Sequence, residues 1–399
     1  MLTSLAYVFL AGLAAAALCQ KIKLPRIIGM LFVGILLGGP YALNLLDSSI
    51  LGISADLRQM ALVIILIKAG LSLNLSDLKQ VGRPALLMSC LPATFEIIAY
   101  TLLAPVFFGV SWVEGAIMGA VLGAVSPAVV VPRMVTLMEG KWGTGKSIPQ
   151  MILAGASIDD VYVIVLFSTF TGIAQGGTMS AVSFLSIPVS ILSGIAVGGG
   201  VGLLLASFFE TNYAHHNCIR NSTKVIIILG VSFFLLAVED WLDGILPFSG
   251  ILAVTAMACA IHIRCPRPVA DRLSQKFGKL WLAAEVILFV LVGAAVDIRY
   301  TLEAGVGAVW IIFAALAIRA IGVLAATAGT ALNRKEKLFC VIAYLPKATV
   351  QAAIGSVPLA LGLPCGKLVL SVAVLAILLT APLGVFGMDA TYQKLLEKS

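Results

Sequence analysis

Residues 153–167 read LAGASIDDVYVIVLF, an apolar stretch that carries two adjacent acids, Asp159 and Asp160. Apolar residues continue on both sides, from 148 to 175, which is long enough to span a bilayer as a helix. A charge at bilayer depth costs about 2.5–3.5 kcal/mol on insertion scales, so two in one span indicate a functional site. Because adjacent carboxylates in a low-dielectric site do not both ionise cheaply, the pair predicts a site for a proton or a small hard cation.

The rest of the chain is similarly apolar. Of its 399 residues, 60% are hydrophobic and only 11% are charged, and the mean hydropathy is +1.08. An average soluble domain is about 25% charged, so this composition excludes a soluble enzyme, a disordered chain and a secreted disulfide scaffold. The seven cysteines have no CxxC spacing and are interpreted as small buried hydrophobic residues. The fold class is therefore expected to be an all-α polytopic membrane protein.

Thirteen apolar segments are candidate membrane spans. Their expected bounds are 2–19, 27–46, 57–73, 84–108, 112–138, 148–175, 182–209, 222–238, 247–263, 277–297, 305–331, 337–361 and 366–388. Of the 26 Lys and Arg, 19 follow odd-numbered spans, 3 follow even-numbered spans and 4 lie within spans. By the positive-inside rule, the N-terminus is expected outside and the C-terminus in the cytoplasm. The net charge of +7 is thereby explained by topology, without a nucleic-acid partner. No basic segment precedes the first span, so a membrane helix is expected there rather than a cleaved signal peptide.

Three further charges lie near the middle of predicted spans. Glu96 is in the fourth span, Arg319 in the eleventh and Lys347 in the twelfth. Together with the Asp pair they place both signs of charge at one depth of the membrane. Packing alone explains such a set poorly, so all five residues are candidates for function.

Prolines interrupt the fifth and twelfth spans. The fifth contains AVSPAVVVPRM at 124–134, with breaks expected at Pro127 and Pro132, and the twelfth contains AYLPKATVQAAIGS at 343–356, with a break at Pro346. Freed carbonyls are tolerated in a bilayer only where protein buries them or where they line a watery cavity. Interrupted helices at corresponding places in two halves indicate an ion site in an inverted-repeat transporter. The first six and the last six spans would be the repeats, with the seventh as linker.

Two further motifs are assigned no part in ion binding. Residues 140–147, GKWGTGKS, match the P-loop pattern, but they fill a short loop between two spans, so no nucleotide is expected to bind there. Gly194, Gly198 and Gly202 recur at four-residue spacing in the seventh span, which predicts a face for close helix packing.

The chain resembles the monovalent cation:proton antiporter superfamily, and within it the two-aspartate sodium/proton antiporter subfamily. The stretches that carry the resemblance are AVSPAVVVPRM, GASIDDVYVIVLF at 155–167 and, most specifically, KEKLFCVIAYLPKATVQAAIGSV at 335–357. The resemblance covers about residues 25 to 385. It implies electrogenic exchange of sodium or lithium for protons by alternating access. It also implies a homodimer in the cell (inner) membrane, in contact with membrane lipid and without a cofactor.

The same resemblance implies a division into functional domains. Residues 1–76 and 214–300 would form the dimerisation domain, and residues 77–176 and 301–399 the ion-transporting core. Residues 177–213 would be the linker helix. In the core, the broken fifth and twelfth spans would cross near the Asp pair.

Roles for individual residues follow from the resemblance. Asp160 would be the principal ligand for sodium or lithium and for the proton, with Asp159 as the first acid of the motif. Ser126 and the carbonyls near it would be auxiliary ligands. Arg319 stands where many electrogenic members have a lysine, and Glu96 would be its ion-pair partner. Because arginine does not release its proton, electrogenic transport would depend on the carboxylates.

Two positions have supporting or open roles. Lys347 matches a basic position in the second broken helix, where it would offset helix-end carbonyls and stabilise the crossover. Glu285 lies in KLWLAAEVILF at 279–289, within the tenth span. It would either reach the interface or pair with a basic residue such as Lys279 or Lys68, or it would act as a gate in the inner funnel.

Other functions fit the sequence less well. A potassium/proton exchanger or a sodium-coupled solute symporter of the same architecture remains an alternative, although a symporter needs a larger polar cavity. A passive channel fits paired carboxylates beside a broken helix less well than binding and release do. An intramembrane aspartyl protease needs its two aspartates on different helices, whereas Asp159 and Asp160 are adjacent on one helix.

Overall fold

The computed structural model describes residues 1–22, 24–38, 43–72, 82–175, 181–214, 219–242, 246–296 and 298–398. Within these ranges the regular secondary structure is helical, apart from an isolated bridge between Trp142 and Lys398. The helices are α1 (Leu2–Lys21), α2 (Arg26–Gly38), α3 (Ser48–Gly52), α4 (Ser54–Ser72), α5 (Arg83–Phe108), α6 (Trp112–Gly123), α7 (Pro127–Glu139), α8 (Ile148–Ala174), α9 (Ala181–Ala214), α10 (Asn221–Leu242), α11 (Gly250–Arg264), α12 (Arg267–Ala294), α13 (Ile298–Ala326), α14 (Arg334–Ala343), α15 (Thr349–Ile354), α16 (Val357–Ala360) and α17 (Gly366–Leu395). Helices satisfy their own backbone hydrogen bonds, which the hydrocarbon of a bilayer requires.

Eight of the described helices are long and apolar enough to cross a membrane, namely α1, α5, α8, α9, α10, α12, α13 and α17. Shorter apolar helices are α2, α6, α11 and the segment Thr349–Ala360. Large apolar side chains point outward from the long helices, and Leu2, Val106 and Val306 are each at least 75% exposed. A surface of this kind is stable against lipid and not against water. The chain is therefore a multi-pass membrane protein.

The structure changes the bounds of the tenth predicted span. That span was expected at 277–297, but α12 begins at Arg267. The additional turns form because Ala270, Leu273 and Phe277 are spaced to make one buried face, and each is at most 1% exposed. The basic residues of this segment therefore lie on a helix and not in a loop.

The chain forms two compact units. The first comprises Met1–Arg58, Asn74–Phe170 and Val286–Ser399, and the second comprises Gln59–Leu73 and Thr171–Glu285. These compact units are not the functional domains expected from the sequence, and that functional division stays a prediction. The boundaries expected after residues 76 and 176 lie outside the described residues, as does the end of the third predicted span.

Helix α5 packs closely along α6 and α13 in the first unit. A Cβ atom on Gly119 of α6 would fall within 3 Å of the Ile97 backbone, and a Cβ on Gly322 of α13 would fall equally close to the backbone of Leu91 and Pro92. The small side chains allow these helices to approach to near contact. The middle of α5 is thereby brought within side-chain reach of α13.

In the second unit, α9 packs against α11 through the predicted glycine face. A Cβ on Gly198 would clash with the Ala253 backbone. A Cβ on Gly202 would fall within 3 Å of the Met257 backbone, and one on Gly194 would fall equally close to the carbonyl of Ser249, the residue before α11. The prediction of a close-packing face at these three glycines is confirmed.

The loop at 140–147 is held by hydrogen bonds to Glu336 and Glu397, which lie in the last third of the sequence. Lys146 Nζ lies 2.9 Å and 3.0 Å from the two carboxylate oxygens of Glu336, which is 1% exposed. Glu336 also accepts the Asn333 N–H at the start of α14, and the Gly143 N–H donates to the Glu397 carbonyl. The hydrogen bond to Glu336 raises the pKa of Lys146 above its ordinary value. The lysine of the P-loop-like motif is therefore engaged in an ion pair that joins two distant parts of the chain.

Candidate ion site

The first interrupted helix breaks between α6 and α7. Helix α6 ends at Gly123, Ala124 and Ser126 are extended, and Pro127 begins α7. Proline suits the first helical position because its missing N–H would have no partner there. The break leaves carbonyls at the end of α6 that need donors from elsewhere.

The second interruption separates α14 from α15. Helix α14 ends at Ala343 and α15 begins at Thr349. Pro346 lies in the non-helical segment and disfavours helical geometry in the residue before it. Its ring packs against Gly384 of α17, where any larger residue would clash with it.

Pro132 does not interrupt its helix. It lies inside α7, which runs without a gap from Pro127 to Glu139. The prediction of a break at Pro132 is wrong, because a proline removes only its own N–H donation and the residues after it continue the helix.

The two interruptions are hydrogen-bonded to each other. The Ser126 N–H donates to the Pro346 carbonyl at 2.9 Å. Gln351 Nε2 donates to the Ala124 carbonyl at 2.7 Å, and its Oε1 accepts the Ala348 N–H at 2.7 Å. Each broken helix thus satisfies backbone groups that the other leaves free.

Glu96 lies between two buried cations where the two breaks meet. Its Oε2 atom accepts from Arg319 NH1 at 2.5 Å and from Lys347 Nζ at 2.6 Å. All three side chains are at most 2% exposed. Buried charges of this kind are stable only when they are paired and hydrogen-bonded.

The same two cations also bind carbonyls freed by the breaks. Arg319 donates through Nε to the Tyr344 carbonyl at 2.9 Å and through NH1 to the Gly123 carbonyl. Lys347 Nζ donates to the Ala124 carbonyl at 3.2 Å. The cations therefore satisfy the orphan acceptors of both interrupted helices.

Asp159 on α8 joins this cluster. Its Oδ2 atom accepts the Val125 N–H at 2.7 Å and lies 3.4 Å from Arg319 NH2. The side chain is completely buried, and its Oδ1 atom has no hydrogen-bond partner in the part of the chain that the structure describes. With Glu96, Lys347 and Arg319, it makes a cluster of two acids and two bases.

Asp160 is the acid without a base. It is 7% exposed, no ion pair to it is formed among the described residues, and its buried Oδ1 atom has no hydrogen-bond partner there. The fully buried Ser126 Oγ atom is unpartnered in the same sense. Because a buried polar oxygen without a donor is costly, such atoms are suited to hold a proton or to ligate a hard cation.

Glu285 lies on α12 and is 7% exposed. It is close enough to Lys68 of α4 to interact with it electrostatically. The Lys68 ammonium also lies 5.8 Å from the centre of the Trp281 ring. The two interpretations left open by the sequence, a structural role for Glu285 and a gate, both stay predictions.

Three contacts beside the two breaks were not predicted by the sequence analysis. Gln351 joins the two breaks, Thr380 Oγ1 accepts the Lys347 N–H at 2.9 Å, and the Tyr344 ring lies 5.5 Å from the Arg319 guanidinium carbon. Gln351 had a detectable signal, since it is a polar residue in an apolar span and lies four positions after Lys347.

An all-helical membrane protein with two interrupted helices that are hydrogen-bonded to each other, and with buried acids beside them, has the architecture of an ion transporter. The chain belongs to the family described as sodium/hydrogen exchanger, transmembrane, whose sequence model matches residues 5–391.

Several relatives match most of the chain. Sodium/hydrogen exchanger 9B2 of Mus musculus is 33% identical over 387 residues, covering 94% of this chain and 69% of the relative. The 9B2 protein of Homo sapiens is 34% identical over 384 residues, covering 94% and 70%. Human sodium/hydrogen exchanger 9B1 is 29% identical over 393 residues, covering 94% and 73%. These relatives are named as ion exchangers and not as enzymes, in agreement with the sequence analysis.

A solved structure shares the fold. The sodium proton antiporter MjNhaP1 from Methanocaldococcus jannaschii, determined at pH 8, superposes with a TM-score of 0.81 and covers 99% of both chains. Its sequence identity is 21%, so this likeness establishes the fold.

Proposed function

We propose that the chain exchanges sodium or lithium for protons across the membrane by alternating access. The observation that carries the proposal is the set of unpartnered buried oxygens on Asp160 and Ser126, in a chain whose two broken helices are hydrogen-bonded to each other. The names of the 9B2 exchangers and of the archaeal antiporter support the same activity.

Asp160 is the proposed site of competition between proton and cation. It has no basic partner among the described residues, whereas Asp159 has Arg319 beside it. A carboxylate that binds a proton no longer ligates a cation, so each ligand lowers the apparent affinity for the other by the same factor. Asp159 Oδ1 and Ser126 Oγ are the proposed additional cation ligands.

We expect the exchange to be electrogenic. Two acids are available to carry protons, while Arg319 keeps its charge throughout. Two protons for each sodium ion would then move net charge across the membrane. A rate of sodium-driven exchange that is indifferent to a potassium/valinomycin clamp would contradict this stoichiometry and favour one-for-one exchange.

The proposed architecture has thirteen spans in inverted repeats. The proposed location is the cell (inner) membrane, with the N-terminus outside and the C-terminus in the cytoplasm. Every predicted span overlaps a described helix, and both interrupted helices fall in the predicted fifth and twelfth spans, which supports the count. The proposed functional domains are a dimerisation domain (1–76 and 214–300) and a core (77–176 and 301–399), joined by the linker helix at 177–213. Support for the orientation comes from the distribution of Lys and Arg.

Transport by purified protein in proteoliposomes tests the proposal. The wild-type protein should dissipate an imposed proton gradient when sodium or lithium is added. Asp160→Asn should abolish this response while the protein still folds and assembles. Asp271→Asn, the same change at an exposed position of α12, is the matched control and should transport normally.

The ions used in this assay also separate the alternatives. A response to potassium and not to sodium would identify a potassium/proton exchanger. Sodium entry that requires a second solute and moves no protons would identify a symporter. An Asp160→Asn protein that still exchanges sodium for protons would refute the assignment of the site.

A further inference from the structure

Gln351 is placed to control the geometry of the first broken helix, although it lies on the second. Its side chain is completely buried and makes two short hydrogen bonds, to the Ala124 carbonyl and from the Ala348 N–H. The first partner is only an acceptor and the second is only a donor, so the orientation of the amide is fixed. Among uncharged side chains of this length, only glutamine supplies both an N–H donor and a carbonyl acceptor.

The contact at Ala124 is one of several that hold the extended segment between α6 and α7, where Lys347 Nζ also donates to the Ala124 carbonyl. Gln351 fixes the Ala124 carbonyl, and the Pro346 carbonyl fixes the Ser126 N–H. Between these two anchors lies Val125, whose N–H donates to Asp159 Oδ2. The direction of that N–H is therefore set by anchors on both sides of it.

We propose that Gln351 is a positioning residue for cation/proton exchange, which holds the Ala124 carbonyl so that the Val125 N–H is directed at Asp159. This inference rests on the proposed function. Asp159 Oδ2 is occupied by the Val125 N–H, and Oδ1 is left for the cation. When Gln351 is lost, the Ala124 carbonyl and the Val125 N–H that follows it are held less firmly, so the Asp159 carboxylate no longer presents Oδ1 to sodium in a fixed position.

Other charged groups also face Asp159. Arg319 of α13 lies 3.4 Å from it, its neighbour Asp160 is on the same helix, and both Glu96 of α5 and Lys347 interact with it electrostatically. All of these groups remain when Gln351 is replaced.

The two test variants differ in what they leave at the Ala124 carbonyl. Lys347 Nζ, at 3.2 Å, remains as a donor to that carbonyl in either variant. Gln351→Met keeps the side-chain volume and removes both hydrogen bonds. Gln351→Glu keeps an acceptor for the Ala348 N–H, and its carboxyl group donates to the Ala124 carbonyl only while it is protonated.

The experiment measures sodium-driven proton movement in proteoliposomes over a range of pH. For Gln351→Met, we expect the sodium concentration at half-maximal rate to rise about tenfold near neutral pH, as for weakening of one hydrogen bond to a charged group. Saturating sodium should restore the maximal rate. A purely structural role would instead lower the maximal rate with unchanged half-saturation and pH profile.

The controls separate the possible failures. Gln393→Met, the same change at an exposed site, should leave half-saturation and pH profile unchanged. Gln351→Glu should approach wild-type behaviour at low pH and the methionine variant at high pH, and it decides the question where Gln351→Met does not fold. Unchanged sodium half-saturation in the folded variant would overturn the inference. A wild-type protein that moves no protons with sodium would refute the proposed function instead.

Discussion

The buried cluster predicts a specific non-additivity of stability. Glu96 and Asp159 carry two negative charges, and Arg319 and Lys347 carry two positive charges, so the ionised cluster is balanced. Glu96→Gln leaves one uncompensated positive charge, and Lys347→Met leaves one uncompensated negative charge. The double variant retains Asp159 against Arg319 and is balanced again.

The expected magnitudes follow from that balance. Removing one partner of a buried pair costs about 3–5 kcal/mol. If the two sites were independent, the double variant would lose about 6–10 kcal/mol. We expect a loss closer to that of one single variant, with a coupling energy of about 2–3 kcal/mol between Glu96 and Lys347. The cycle of Glu96→Ala with Arg319→Ala should be sub-additive for the same reason, since Lys347 and Asp159 remain.

The assay is a double-mutant cycle of unfolding free energies, measured on purified protein in detergent. Glu96→Gln combined with Lys146→Met is the control, because Lys146 is paired with Glu336 and should not couple to Glu96. Additive losses for Glu96 and Lys347 within about 0.5 kcal/mol would show that the shared carboxylate oxygen does not couple them, and the reasoning would be refuted.

Three further predictions concern other parts of the chain. Glu336→Gln should lower the thermal midpoint of unfolding by weakening the ion pair with Lys146. Because the pKa of Lys146 is raised in the folded protein, the contribution of this pair to stability should persist at neutral pH. It should vanish only as the pH rises above the ordinary pKa of lysine. An unchanged difference between wild type and variant up to strongly alkaline pH would contradict this. Gly198→Val should destabilise the protein by at least about 2 kcal/mol, because its side chain would clash with the backbone of α11, and normal unfolding of that variant would disprove the close approach. Glu285→Gln should change the sodium half-saturation and its pH dependence with little loss of stability, as expected of a gate. Unaltered kinetics across pH would favour the alternative, in which Glu285 reaches the interface or pairs with a basic residue such as Lys279 or Lys68.

Much of the site could be predicted because the bilayer makes polar groups conspicuous. The Asp pair, Glu96, Arg319 and Lys347 stand out from an apolar background, and Pro127 and Pro346 mark the breaks by a local steric rule. These signals depend on composition and on adjacent residues, which a single sequence displays directly.

Features that depend on distant contacts could not be read in this way. Lys347 and Arg319 share one oxygen of Glu96, but nothing in the sequence shows that two cations meet one acid across separations of 251 and 223 residues. The early start of α12 depended on how that helix packs, through the buried face of Ala270, Leu273 and Phe277. Local rules predicted the kinds of residue at the site, and tertiary contacts determined which atoms meet.

The hydrogen bonds between the two interrupted helices have a consequence for the synthesis and membrane insertion of the chain. The Ala124 carbonyl receives its donor from a residue 227 positions later in the chain. At about 5–20 residues per second, the ribosome needs on the order of ten to fifty seconds to synthesise that partner. During this interval the nascent first half holds a broken helix whose Ala124 carbonyl has neither of its side-chain donors, Gln351 and Lys347. The two halves of the transporter are therefore obligate folding partners, and a chain released before Gln351 should be recognised by membrane quality control as unfinished.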